Sequence, residues 1–300
     1  MRAMADAAWA FRRYHEIRER LPAASFPGVS ERVADLGDIT DRFDVFVFDS
    51  FGVLNVGETQ VPGAVARVAA LRGAGKKVFV LTNASSVPLG RATAKYAALG
   101  FDFAAPEIVM SRALLENALA AERPGMRWAV AAPESAAPDE LPGDVVPLDD
   151  AALTEADGFI LLSSHGWTDA RQDALSAALV ERPRPVLIGN PDLVAPREDG
   201  FTLQPGAYAH ALTDATGVSP VFFGKPYANA FDALLTEIGP GTERRRILML
   251  GDTLHTDILG AAAAGMASAL VTGHGVLRGM DIEACIAQSG IRPDYILAQI

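Results

Sequence analysis

Short apolar runs that end on a polar residue recur along this 300-residue chain. Asp44-Val45-Phe46-Val47-Phe48 stops at Asp49, Lys77-Val78-Phe79-Val80-Leu81 at Thr82-Asn83, and Arg246-Ile247-Leu248-Met249-Leu250 at Gly251-Asp252. Unbroken apolarity of this length, rich in β-forming side chains, predicts parallel strands covered on both faces. Between the first two runs, Val65, Val68 and Leu71 share one helical face. Pro62 suits a helix start, and Gly73 and Gly75 suit a stop. Strand, helix and strand at this spacing predict a right-handed βαβ unit. Towards the C-terminus the same pattern predicts helices over 230–238 and 258–265 and strands over 221–223, 267–271 and 294–297.

The middle of the chain alternates as well. Residues 128–131, 159–162 and 186–188 read as strands and 168–179 as a helix, with breaks at Arg123-Pro124-Gly125 and Leu141-Pro142-Gly143. A segment this long and this patterned is too structured for a loop. The expected fold is therefore α/β: a doubly wound parallel-sheet core formed by the two chain ends, with a second α/β unit inserted as a cap. The expected boundaries are an N-terminal helical extension over 1–40, core over 41–111, cap over 112–218 and core again over 219–300. In the extension, Met4, Ala8, Phe11 and Leu21 recur near helical spacing among Arg12, Arg13, Arg18 and Arg20. Asp6, Glu16 and Glu19 interrupt the positive charge, which argues for a docking helix rather than a transit peptide.

Composition narrows the class. Half the residues are apolar and 21% are charged, as in globular proteins. Lys and Arg number 26 against 37 Asp and Glu, a net charge of −11 without the basic footprint of a nucleic-acid binder. An anionic substrate would have to be held by local donors and a metal. No apolar run is long enough to predict a membrane span. Cys285 is the only cysteine, so no intrachain disulfide is expected, which fits a cytoplasmic protein.

In open α/β sheets, ligands sit beyond the carboxyl ends of the strands. Asp49, Thr82-Asn83 and Gly251-Asp252 would all lie there. Any one of them could be a helix cap; caps alone do not explain Gly-Asp at one strand end and Gly224-Lys225-Pro226 before another helix. As chemistry the set is coherent. Asp49 can attack phosphorus as a carboxylate nucleophile. Asp252 brings a second carboxylate, and two close carboxylates call for a cation, for which Mg²⁺ is suited. Thr82 offers a hydroxyl, the backbone N–H groups after it an anion-binding concavity, and Lys225 a point charge. The plainer reading of Lys225 is a solvated surface lysine.

Asp49-Ser50-Phe51-Gly52-Val53-Leu54, Leu81-Thr82-Asn83, Gly224-Lys225-Pro226 and Gly251-Asp252-Thr253-Leu254-His255-Thr256-Asp257 resemble, in order, the four motifs of the haloacid dehalogenase superfamily. With Asn190-Pro191-Asp192, they are similar to the branch that carries a large α/β cap after the second motif. That branch includes nucleotide, p-nitrophenyl-phosphate and pyridoxal-phosphate phosphatases. The resemblance runs from about Asp44 to the end. It implies Asp49 as nucleophile and Asp252 as a Mg²⁺ ligand supported by Asp257, with the backbone carbonyl of Phe51 as a further ligand. It implies phosphate binding by Thr82, Asn83 and Lys225, and substrate contact from the cap by Asn190 and Asp192. The substrate would be a small phosphorylated molecule, and a homodimer through the cap or the N-terminal helix is an open expectation.

Phe51 departs from the pattern, because the family's phosphatases carry there an Asp that serves as general acid and then base. Its loss bears on proton transfer, worth ~10²–10⁴ in rate. The expected activity is Mg²⁺-dependent hydrolysis of a phosphate monoester. The alternatives are a phosphate-binding protein without turnover, which Phe51 favours, and a carbon–halogen hydrolase, which the acidic pair disfavours. Among other residues, His165 is a second choice of proton carrier after a structural, hydrogen-bonded role. His255, Trp9, Trp128 and Trp167 are expected to pack, and Cys285 has no evident partner.

Overall fold

The computed structural model describes residues 6–122, 125–197 and 200–300; Met4 and the Arg123-Pro124 break lie outside them. Two parallel sheets organise the chain. The larger has seven strands in the order Glu31–Arg32, Tyr295–Leu297, Ala267–Val271, Ile247–Gly251, Val45–Phe48, Lys77–Thr82 and Ile108–Met110. Every adjacent pair is parallel. The predicted strands are there, and so is the βαβ unit, whose helix is Ala64–Gly73.

The alternation of strand side chains sets the two faces. Phe46, Phe48, Val78, Val80, Leu248 and Leu250 point into one apolar layer. Val45, Val47, Phe79, Leu81, Ile247 and Met249 point into the other, beneath the helix Ala228–Ile238. Both layers are buried and apolar, which is why these strands read as unbroken apolar runs.

The smaller sheet, with its helices, forms the cap. Its strands run Val221–Phe222, Val186–Ile188, Gly158–Leu161, Arg127–Ala131 and Asp144–Pro147, again all parallel. Val221–Phe222 was expected with the core, but it pairs with Val186–Ile188. Its motif residues begin only at Gly224, whose φ of +129° is open to glycine and turns the chain back to the core. An antiparallel hairpin, Val194–Arg197 with Gly200–Leu203, hangs from the cap, and the helix Pro205–Thr216 follows it. The sequence reading missed both, along with the helices Leu89–Ala98 and Ser111–Glu122. Among the described residues, no helix is long and apolar enough to cross a membrane.

Candidate active site

The strand Val45–Phe48 lies between Ile247–Gly251 and Lys77–Thr82, so Asp49, Asp252 and Thr82 emerge side by side at the carboxyl edge of the larger sheet. After Gly251 the chain enters a wide π turn, Leu254–Ile258, before the helix Leu259–Ala263. The turn brings Asp257 back under the strand end, where its Oδ2 accepts the Thr253 N–H at 3.1 Å. Such turns frequently mark functional sites.

Lys225 joins these elements. Its side chain is 2% exposed, and its Nζ lies 2.5 Å from Asp49 Oδ1 and 2.7 Å from Asp257 Oδ1. It is not a surface lysine. Burial pulls its pKa down, but Asp257, Asp49 and Asp192 outweigh burial and leave it raised, so the ammonium keeps its proton. Asp252 is held apart from the lysine: Oδ1 accepts the Thr253 hydroxyl at 2.7 Å and Oδ2 the Val276 N–H at 2.7 Å. Gly52 and Gly275 close around its carboxylate, and a Cβ on either would overlap it.

One oxygen each of Asp49, Asp252 and Asp257 lies within 4.8 Å of the others. Three carboxylates against one ammonium leave two formal negative charges in a buried cluster. The strain shows in the acidities. Burial pushes the Asp49 carboxyl up to about 8, with Lys225 opposing and Asp257 and Asp252 reinforcing the shift. Burial, then Asp257, pushes Asp252 up to about 7. A hard divalent cation is the partner that such a cluster of oxygen donors fits.

The side chain of Asn83 is engaged within the protein. Its Oδ1 accepts the Lys225 N–H at 2.7 Å and the Ser111 hydroxyl at 3.2 Å. Its Nδ2 donates to Asp192 Oδ1 at 2.8 Å and to the Lys225 carbonyl at 3.0 Å. Two donors and two lone pairs are a side-chain amide's full capacity, so the Asn83 side chain anchors the lysine loop and the cap and is not free for a phosphate. The concavity after Thr82 is likewise a loop: the Ala84 N–H is given to Thr82 Oγ1 at 3.2 Å, and the next helix begins only at Leu89.

Above the strand ends lies a cavity of about 740 Å³, lined by Asp49, Phe51 and Thr82 from the core and by His165, Asn190 and Asp192 from the cap. Asn190 and Asp192 form a turn, the Asp192 N–H bonding Asn190 Oδ1 at 2.8 Å, and still face the cavity. Burial pushes the Asp192 carboxyl up to about 7, against the pull of Lys225. His165 is exposed at the rim, and no side-chain hydrogen bond of its ring is seen among the described residues, contrary to the structural role expected. His255 packs, stacked against Tyr14 with centroids 4.9 Å apart, and burial brings its pKa down to about 3. Trp128 and Trp167 are buried, Trp9 packs beside the N-terminal cluster, and Cys285 is buried and free.

Three cavity residues carried no signal in the sequence. Lys95 and Arg197 cover the Phe51 ring, at 4.9 and 5.2 Å from its centroid, and Tyr14 arrives from the N-terminal helix. No motif or spacing marks them, because they converge from elements distant in the chain.

Residues 46–139 match the family model described as haloacid dehalogenase-like hydrolase, and residues 222–300 match a second, described as HAD-hydrolase-like. The chain is 30% identical over 262 residues to the D-glycerol 3-phosphate phosphatase of Mycobacterium tuberculosis, covering 86% of this chain and 70% of that protein. It is also 30% identical over 295 residues to human chronophin, covering 90% and 95% of the two chains. A possible sugar phosphatase of the HAD superfamily from Cytophaga hutchinsonii has the same fold, with a TM-score of 0.78 at 24% identity, over 90% of this chain and 98% of that one.

Proposed function

The chain belongs to the haloacid dehalogenase-like hydrolases as one of their phosphatases, and we propose that it hydrolyses small phosphate monoesters through an aspartyl-phosphate on Asp49. The observation that carries this reading is the Lys225 bridge. With Oδ1 of Asp49 tied to the ammonium, Oδ2 is the oxygen left to attack.

In the proposed reaction, Asp49 Oδ2 bonds to phosphorus and the bond from phosphorus to the leaving oxygen breaks. The leaving oxygen takes a proton, and water then cleaves the acyl phosphate to release phosphate and regenerate the carboxylate. Lys225 and the Thr82 hydroxyl are placed to hold phosphoryl oxygens as negative charge moves onto them. Asn83 positions Lys225 by gripping its backbone at both N–H and carbonyl.

Asp49, Asp252 and the Phe51 carbonyl would hold Mg²⁺, with Asp257 supporting, and the cradle of Gly52 and Gly275 around Asp252 supports that assignment. When bound, the ion would neutralise the cluster and polarise the phosphoryl group. Phe51 cannot move a proton. Asp192 faces the same cavity with a carboxyl pushed up to about 7, and in this reading it protonates the leaving oxygen.

The D-glycerol 3-phosphate phosphatase named above takes, by its name, a small phosphorylated molecule, which supports a substrate of that size in the cavity. Phosphate release across a metabolite panel, with Mg²⁺ and with chelator, tests the reading. The expected result is release that depends on Mg²⁺ and is absent in Asp49→Asn. Full activity in chelator would refute the metal assignment, and release by Asp49→Asn would refute the nucleophile.

A further inference from the structure

The N-terminal helix Ala7–Glu16 starts at Asp6, whose carboxylate accepts the Trp9 N–H at 2.6 Å. Its apolar face, Ala10, Phe11 and Tyr14, continues through Ile17 and Leu21 into one cluster. That cluster holds core residues such as Leu254 and Ile258 and cap residues such as Leu193 and Ala207. The segment therefore lies across the joint between the two units. On the core side, Phe11 meets the His255 ring edge-on at 5.5 Å and Tyr14 stacks on it nearly parallel. On the cap side, Arg13 and Arg20 both pair with Asp214 of the helix Pro205–Thr216. Arg20 also reaches the His210 carbonyl at 3.2 Å.

Tyr14 sits where these contacts cross. Its ring lies on the fourth motif, its Oη accepts the N–H of Leu193 at 3.1 Å, and it lines the same cavity as Asp49, Asp192 and Asp252. A phenol has one hydrogen to give. Among the described residues no acceptor is seen for it, and the Leu193 bond uses only a lone pair of the oxygen.

We propose that Tyr14 is a specificity-determining residue, strapped into the active-site cavity by the N-terminal segment, where its hydroxyl donates a hydrogen bond to a polar leaving group of the substrate. The inference rests on the phosphatase reading and extends it to the substrate class: a phosphate ester whose leaving group carries hydroxyl or other acceptor oxygens. Burial, reinforced by Asp192, raises the Tyr14 pKa well above that of an ordinary phenol, so the hydroxyl stays a donor at any working pH. The stack on His255 fixes the ring, and the Leu193 bond leaves the O–H to point elsewhere. The extension would thus be part of the site and more than a surface appendage.

Tyr14→Phe in the full chain keeps the stack and removes the hydroxyl. KM and kcat are measured for the best hydroxyl-bearing alkyl phosphate of the panel and for phenyl phosphate, whose leaving group has no oxygen beyond the ester oxygen, together with inhibition by inorganic phosphate and the Tm. KM for the alkyl phosphate is expected to rise about 3- to 10-fold, the worth of one neutral hydrogen bond. KM for phenyl phosphate and inhibition by phosphate should stay within about twofold. The Tm should fall, because the Leu193 N–H loses its acceptor. Asp214→Asn, which loosens the strap and leaves the hydroxyl, should lower the Tm without changing the preference between substrates. Equal KM shifts for both substrates, no shift for either, or the same preference change in Asp214→Asn would reduce Tyr14 to a tether and overturn the proposal. Absence of phosphate release by the unmodified protein from every substrate would overturn the phosphatase reading itself, and the role of Tyr14 with it.

Discussion

The guanidinium of Arg197, on the cap hairpin, lies over the ring of Phe51, on the core, 5.2 Å from its centroid. Lys95, which also pairs with Glu58 at 3.0 Å, covers the same ring at 4.9 Å. An aromatic between two cations thus stands where the family's phosphatases carry an acid, and each cation–π contact contributes about 0.5–1 kcal/mol at such partly open sites. The contact with Arg197 links core and cap, and the ring carries no group that could move a proton.

Phe51→Asp is expected to raise turnover of an alkyl phosphate relative to p-nitrophenyl phosphate, because only the poorer leaving group needs a proton in the transition state. Lys95 and Arg197 would hold the new carboxyl below its usual range, so the gain should grow as pH falls and the acid form fills. The ratio of kcat/KM for the two substrates, followed from pH 5 to 8, measures this. A ratio that does not move would show that Asp192, the donor proposed above, or another group already supplies the proton in full and leaves a second acid nothing to add.

Asp192 is the first such group to test. An acid must carry its proton to act, and the Asp192 carboxyl is pushed up to about 7. Alkyl-phosphate kcat/KM should therefore fall as pH rises through about 7, and Asp192→Asn should be slow across the range and lose that inflection. Substrate ranking should change with it, while stabilisation by Mg²⁺ should not. An unchanged pH profile in Asp192→Asn would exclude it as the donor.

Lys225→Met removes the only ammonium seen bonded to Asp49 and Asp257 among the described residues. Stranding buried carboxylates costs about 3–5 kcal/mol, so urea unfolding in chelator should show a loss of that order together with loss of phosphate release. Unchanged stability with full anion affinity by calorimetry would contradict the bridging role.

Mg²⁺ should raise the Tm of the intact protein, in line with about 2.7 kcal/mol of stabilisation at a hundredfold excess over Kd. Asp252→Asn replaces one carboxylate of the cluster by a neutral amide, and the Mg²⁺-dependent rise should largely disappear. A rise of the same size in Asp252→Asn would place the ion elsewhere.

Much of the fold could be read from the chain because its signals are local. Buried parallel strands need unbroken apolar runs, so 45–48, 77–82 and 247–251 declared themselves, and the polar residue ending each run had to lie at the sheet's carboxyl edge. Short or half-exposed elements did not declare themselves: Asp144–Pro147 is partly open along its length, and Gly200–Leu203 alternates between exposed and half-buried positions. Val221–Phe222 was assigned to the wrong sheet because two apolar residues do not specify a neighbour.

The sequence by itself determined that Asp49, Thr82 and Asp252 share one edge of one sheet, since strand polarity and motif order constrain that edge whatever the cap does. Lys225, whose preceding strand lies in the cap sheet, was tied to that edge only by its motif. Only the tertiary structure decided what surrounds them. It engaged all of Asn83's bonding capacity, set Phe51 between Lys95 and Arg197, turned Asp192 toward Asp49 and brought Tyr14 to the cavity wall. Each of these depends on side chains from separate elements meeting across the joint of core and cap. Such meetings follow from how packed surfaces dock in three dimensions, and a periodicity along one segment carries no record of the segment it will face.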